Sequence, residues 1–82
     1  MTLDNILEEI KKAEKIVILA HETPDGDAIG SCLAMNLAIK TLGKSADVVI
    51  KEFPRVFDFL PGRDEVKTES KVEQYDLAIA LD

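Results

Sequence analysis

One stretch of the chain, HETPDGDAIGS at residues 21–31, concentrates side chains that can do chemistry. It contains one imidazole, His21, and three carboxylates, of which the last two are Asp25 and Asp27. No Lys or Arg occurs from residue 16 to residue 39, so no cation nearby in sequence balances this charge. Anions that share a partly buried site repel each other and destabilise it unless a cation is bound. The stretch therefore suggests a cation site.

A plain helix start would account for part of the same stretch. Asp27 stands before Ala28 and could be a normal N-cap, while Pro24 and Gly26 would simply form the turn. One cap needs only one carboxylate, however, and the stretch offers a second aspartate and His21 as well. Mixed nitrogen and oxygen ligands without sulfur suit Mn²⁺ or Mg²⁺, and also Zn²⁺ or Fe²⁺. Both explanations stay open at this point.

Alternating strands and helices must position this stretch. The run IVILA before it is β-branched and wholly apolar, which is typical of a strand covered on both faces in a parallel sheet. The order of strand, helix, strand, connection and strand predicts an α/β fold with right-handed crossovers. We expect three layers: a parallel sheet in strand order 2-1-3, with helices on both faces. The predicted helices cover residues 3–14 and 28–42. The predicted strands cover residues 16–20, 46–50 and 77–81. Residues 51–75 are expected to form a connection that contains a turn of helix.

A fourth candidate ligand, Asp82, follows the last predicted strand, as His21 follows the first. In open parallel sheets, ligands gather at the carboxyl ends of the strands. If strands one and three are neighbours, His21 and Asp82 lie on the same rim as Asp25 and Asp27. The sequence thus predicts one imidazole and three carboxylates at one cation site. Because a strongly apolar strand at the end of a chain would lack cover, we also expect a longer parent protein.

Length and composition exclude several classes of protein. Eighty-two residues make one small domain with a thin core. The net charge of −6 argues against a free-standing nucleic-acid-binding module, and no DNA-binding motif is present. The acidic start and the short apolar runs indicate neither a signal peptide nor a membrane span, so a cytoplasmic protein is expected. The single Cys32 excludes an intrachain disulfide and is predicted to be a buried small hydrophobe.

The stretch resembles the first motif of the DHH phosphoesterase superfamily, whose pattern is approximately His, two or three residues, Pro-Asp-x-Asp, Ala, x, Gly-Ser. The matching residues are His21, Pro24, Asp25, Gly26, Asp27, Ala28, Gly30 and Ser31.

Two further segments carry the resemblance. LAIALD, which ends at Asp82, resembles the strand and aspartate of the second motif of this superfamily. FDFLPG, at residues 57–62, resembles a segment typical of the branch that contains bacterial nano-RNases and 3′-phosphoadenosine-5′-phosphate phosphatases. The resemblance therefore spans most of the chain.

The resemblance implies a metal-dependent hydrolase. Residues 1–82 would be the N-terminal part of a single DHH domain, and the C-terminal substrate-binding domain of the family is absent from this chain. Members are Mn²⁺-dependent, two-metal phosphoesterases in which water is the nucleophile, with Mg²⁺ as an alternative metal. By resemblance, His21, Asp25 and Asp82 would hold one ion, and Asp27 and Asp82 the other. The Asp-His-His tripeptide that names the family does not occur here, so the chain alone is expected to be inactive.

The branch further implies a substrate. We expect hydrolysis of short oligonucleotides or 3′,5′-bisphosphonucleotides, bound through the missing C-terminal domain, and the resemblance is compatible with a homodimer. Other activities of the family are single-strand exonuclease, cyclic dinucleotide phosphodiesterase and pyrophosphatase action. The alternatives from other classes are a non-catalytic divalent-cation-binding or receiver-like α/β module and a plain structural domain whose acids only cap a helix.

Overall fold

A computed structural model describes residues 2–20, 24–70 and 75–81. In this part of the chain, helices and strands alternate and two short 3₁₀ turns occupy the long connection. The elements are α1 (Leu3–Lys12), β1 (Ile16–Ala20), α2 (Gly26–Thr41), β2 (Ala46–Val49), β3 (Val66–Lys67) and β4 (Leu77–Leu81), and the 3₁₀ turns are Arg55–Phe57 and Arg63–Glu65.

The strands form one parallel sheet in the order β3-β2-β1-β4. The predicted α/β fold is confirmed, and so is the placement of the first strand between the second and the last. β1 and β4 run in register from Ile16 opposite Leu77 to Ala20 opposite Leu81. Both strands have the predicted bounds because each is a continuous apolar run between polar residues.

The core lies on one face of the sheet. Ile16 and Ile18 of β1 and Val48 of β2 point into it, together with Ile10 of α1 and Ile29 of α2. Both helices thus pack against the same face in the described part of the chain.

The opposite face carries no helix among the described residues. Leu19 is 37% exposed there, and Ala78 and Ala80 of β4 are exposed as well. The expected second helical layer is therefore not found in the described residues, although the parallel sheet is.

Side chains at the helix ends explain where the helices begin and stop. Thr2 caps α1, since its Oγ1 accepts a hydrogen bond from the N–H of Asn5 at 3.2 Å. α2 begins two residues before the predicted start because Asp25, rather than Asp27, is its N-cap. Gly43 adopts φ +79° just after α2 and so ends the helix. Neither helix is long and apolar enough to cross a membrane.

The long connection contains a strand, β3, whose residues stand in a run of mixed charge that gives no strand pattern. β3 pairs with β2, and the N–H of Ile50 donates to the carbonyl oxygen of Lys67 at 2.9 Å. The sequence pattern predicted no strand in residues 51–75, so β3 is an element that it missed. The prediction of a turn of helix on the core holds, because Phe57 and Leu60 pack against it.

Candidate metal centre

The two described candidate ligands lie between β1 and α2. β1 ends at Ala20, α2 begins at Gly26, and the exposed residues Asp25 and Asp27 flank that first helical residue. The position is the carboxyl end of an inner strand, where open parallel sheets collect their ligands. Its location agrees with the one expected from the sequence.

Asp25 has a structural role in addition to its candidate role. Its Oδ1 accepts a hydrogen bond from the N–H of Ala28 at 2.8 Å, and its carbonyl oxygen accepts the N–H of Ile29 at 3.1 Å. Its Oδ2 has no hydrogen-bond partner among the described residues. The carboxylate can therefore cap α2 and still offer an oxygen to a cation.

Asp27 has no such structural role in the described chain. It lies in the first turn of α2 and is exposed, and its side chain makes no hydrogen bond or ion pair with another described residue. The three ion pairs found in the described segments use other acids: Lys40–Glu65, Arg63–Asp58 and Lys67–Asp47. The positive end of the helix dipole offsets part of the charge of Asp27, but no side chain neutralises it.

The other two candidate ligands, His21 and Asp82, lie outside the described residues. They follow Ala20 and Leu81 in sequence, and these two residues are paired across β1 and β4. The described residues alone contain no group of three His, Cys, Asp or Glu side chains able to hold a metal. Asp25 and Asp27 supply oxygen donors only, which fits a hard divalent cation such as Mn²⁺ or Mg²⁺.

The FDFLPG segment packs directly on the turn that carries these aspartates. A Cβ placed on Gly26 would meet Cζ of Phe57 at 3.2 Å and Cε1 at 3.5 Å. A cleft of about 340 Å³, lined by Pro24, Glu52, Phe53 and Pro54, opens beside the same turn. Sequence reasoning missed this contact, because it used FDFLPG only as a mark of resemblance.

Cys32 is the nearest sulfur in sequence to the turn and takes no part in the candidate centre. It is fully buried in the core, and burial raises the pKa of its thiol. Its Sγ lies 3.9 Å from the carbonyl oxygen of Leu19, where the thiol is at most a weak donor. The prediction of a buried small hydrophobe is confirmed.

Comparison with known proteins adds one informative match. No family model matches the chain. The chain is 44% identical over 62 residues to the bifunctional oligoribonuclease and PAP phosphatase NrnA of Thermus thermophilus. The match covers 73% of this chain and 19% of that relative, so the chain spans about a fifth of the length of the protein it matches.

Proposed function

From the premise that the matched part of this chain is a DHH-family sequence, we propose that the chain binds the catalytic metal of a phosphoesterase. Mn²⁺ is the proposed metal, with Mg²⁺ as the alternative. His21, Asp25, Asp27 and Asp82 are the proposed ligands. When bound, a divalent cation supplies Lewis acidity and makes water a better nucleophile at neutral pH.

The observation that carries the proposal is the state of Asp27. It is exposed at the carboxyl end of an inner strand, and no described side chain pairs with it. A helix start needs one capping carboxylate, and Asp25 already supplies it through the bond to Ala28. Capping therefore accounts for Asp25 but not for Asp27, whose charge the helix dipole offsets only in part, whereas a cation would use both aspartates.

The proposed substrate is a phosphate ester of a short oligoribonucleotide or of a 3′,5′-bisphosphonucleotide. This follows the name of the relative, which describes an oligoribonuclease and PAP phosphatase. Because the match covers 19% of that relative, the substrate is proposed for a protein of the relative's length. In the 82-residue chain we expect cation binding without measurable turnover.

A Mn²⁺ titration of the 82-residue chain tests the metal proposal. Calorimetry should show binding, and saturating Mn²⁺ should raise the melting temperature, since a ligand that binds only the folded state stabilises it by about 2.7 kcal/mol at a hundredfold excess over Kd. Asp27→Asn should weaken both effects, because it removes one of the four proposed ligands, without lowering the stability of the metal-free chain. A wild-type chain that binds no Mn²⁺ would contradict the proposal.

Asp4→Asn is the matched control. Asp4 also lies in the first turn of a helix, α1, and is also exposed, so the substitution removes the same charge from the same helical position. It should leave the Mn²⁺ response intact. An equal loss in both variants would mean that the cation responds only to net charge or to helix dipoles.

The non-catalytic cation-binding module is the competing function. It predicts the same titration but no phosphoesterase activity in a protein of the relative's length. Release of phosphate or mononucleotides with Mn²⁺, lost in Asp27→Asn, distinguishes the enzyme from the module.

A further inference from the structure

Gly26 lies between the two aspartates, and its backbone does not require glycine. Positive φ values occur in the described residues only at Gly43 and Gly62. Gly26 is instead the first residue of α2. What it requires is space, because a Cβ would come within 3.2 Å of the Phe57 ring. A separation this short is tighter than an ordinary contact, so the ring would have to give by a few tenths of an ångström.

Backbone hydrogen bonds within its own segment hold Phe57 in place. Its N–H donates to the carbonyl oxygen of Pro54, and its carbonyl oxygen accepts the N–H of Leu60, each at 3.1 Å. Beyond it, Arg63 donates through Nε to Oδ1 of Asp58 at 2.9 Å.

Arg63 also closes the segment over an aromatic ring. Its guanidinium lies 4.0 Å from the centroid of the Phe53 ring, within the range of a cation–π contact. Arg63 thus contacts residues on both sides of Phe57 in the sequence, Phe53 and Asp58. These contacts hold the segment in the conformation that places the Phe57 ring against Gly26.

We infer that Phe57 is a positioning residue for the metal turn: its ring packs on Gly26 and fixes the backbone from which Asp25 and Asp27 project. This inference rests on the proposed function, because it assumes that the two carboxylates bind a cation. A turn that is held in place before the cation arrives loses less conformational freedom on binding. Substitution of residues that orient metal ligands typically lowers metal affinity by about 10- to 100-fold.

The first test measures Mn²⁺ affinity by calorimetry well below the melting temperature of each variant. Phe57→Ala should weaken Mn²⁺ binding about tenfold, and Phe57→Leu, which keeps part of the contact, should lose less. Phe59→Ala is the matched control, because Phe59 is 78% exposed in the same segment. Val48→Ala removes buried core packing away from the turn and controls for lost stability. Unchanged affinity in Phe57→Ala would overturn the inference.

The second test is a double-substitution cycle without metal. Gly26→Ala should be less favourable for the melting temperature in the wild-type chain than in the Phe57→Ala background, because its Cβ meets the ring only when Phe57 is present. In the Phe57→Ala background the same change should cost little, because the obstacle is gone. Gly30→Ala, which meets no atom within 4 Å, should lower it in neither background. Equal effects of Gly26→Ala in both backgrounds would overturn the inference.

Amide exchange at Ala28 separates positioning from general stability. The N–H of Ala28 donates to Asp25 Oδ1 and so reports the place of that carboxylate. It should exchange faster in Phe57→Ala but not in Val48→Ala. If the wild-type chain binds no Mn²⁺, the proposed function fails, and the metal-free cycle and this exchange still decide whether Phe57 holds the turn. If the wild-type chain binds Mn²⁺ and Phe57→Ala binds it equally well, the positioning role alone fails.

Discussion

The molecule holds aspartate side chains in two contrasting environments. Asp47 is partly enclosed, whereas Asp25 and Asp27 are exposed. Asp47 lies on β2, and its side chain is 19% exposed. Its Oδ1 accepts a hydrogen bond from Nζ of Lys67 at 2.6 Å, and its Oδ2 accepts one from the hydroxyl of Tyr75 at 2.8 Å. Asp25 and Asp27 are exposed, and the one side-chain hydrogen bond found for them in the described residues comes from a backbone N–H.

This difference in exposure and pairing distinguishes a carboxylate that stabilises the fold from carboxylates that are available to bind a ligand. A partly enclosed charge has lost water and must be paired within the protein, so Asp47 ties β2 to β3 and to Tyr75. Exposed carboxylates keep their water and need no such partner. Two of them in one turn, without a pairing cation in the described chain, remain available for a ligand.

The largest expected effect in this comparison comes from Asp47→Ala. The change removes the carboxylate partner of Nζ of Lys67 and one of the two hydrogen-bond partners of the Tyr75 hydroxyl, and both groups are half-buried. We expect a loss of about 1–2 kcal/mol, reduced from the buried value because Lys67 is partly exposed. In a chain of this size the melting temperature should fall by about 5–15 °C, measured by circular dichroism.

Asp27→Asn is the counterpart that can break the comparison. It removes the same charge but should change the stability of the metal-free chain by less than about 0.5 kcal/mol. A large loss would show that Asp27 is structural too. Conversely, if Asp47→Ala were harmless, the contacts of Asp47 would not stabilise the sheet, and its contrast with the turn would disappear.

Asp25 should combine both roles, and two substitutions separate them. Asp25→Ala removes the cap of α2 and should cost about 1 kcal/mol, because the N–H of Ala28 loses its acceptor. Asp25→Asn keeps a good cap and should be almost neutral, yet it should still abolish the Mn²⁺ response. Thermal unfolding with and without Mn²⁺ measures both. An equal loss of stability in the two variants would mean that the negative charge, rather than the cap bond, stabilises α2.

Local apolar patterns were sufficient to predict much of the fold. β1 and β4 are wholly apolar runs, a pattern typical of strands in a parallel sheet, and they pair with each other along their whole length. β3 could not be seen in the same way, because Val66 and Lys67 stand in a run of mixed charge. Its pairing depends on partners in β2, since Val66 lies opposite Val48 and Lys67 opposite Val49. Such a contact between distant residues leaves no local pattern in the sequence.

The candidate site was predictable only as residue types. The charge of the turn and its place after β1 were evident, but either of two acids, on the two sides of Gly26, could cap the helix, and only the geometry assigned the cap to Asp25. The reason for glycine at Gly26 lies in Phe57, on a different segment of the chain. The ligand roles of Asp25 and Asp27 stay predictions, as do those of His21 and Asp82, which lie outside the described residues.

Glu65 is intermediate between Asp47 and Asp27, because its carboxylate is paired yet exposed. Its substitution should have the smallest effect on stability. The Lys40 ammonium, which donates a hydrogen bond to Glu65, holds the pKa of that carboxyl below its usual range. A lowered folded-state pKa stabilises the chain above the ordinary glutamate pKa, about 4.3. That contribution is lost as the pH falls through the lowered value.

Glu65→Gln should therefore narrow the gap in melting temperature between neutral and acidic pH by a small amount. About 1 M salt should erase the difference between the variant and wild type, since the pair is exposed to solvent. A salt-insensitive difference would mean that Glu65 behaves like the enclosed Asp47. In that case exposure alone would not separate structural carboxylates from available ones, and the assignment of Asp27 to a ligand would rest on its lack of a described partner alone.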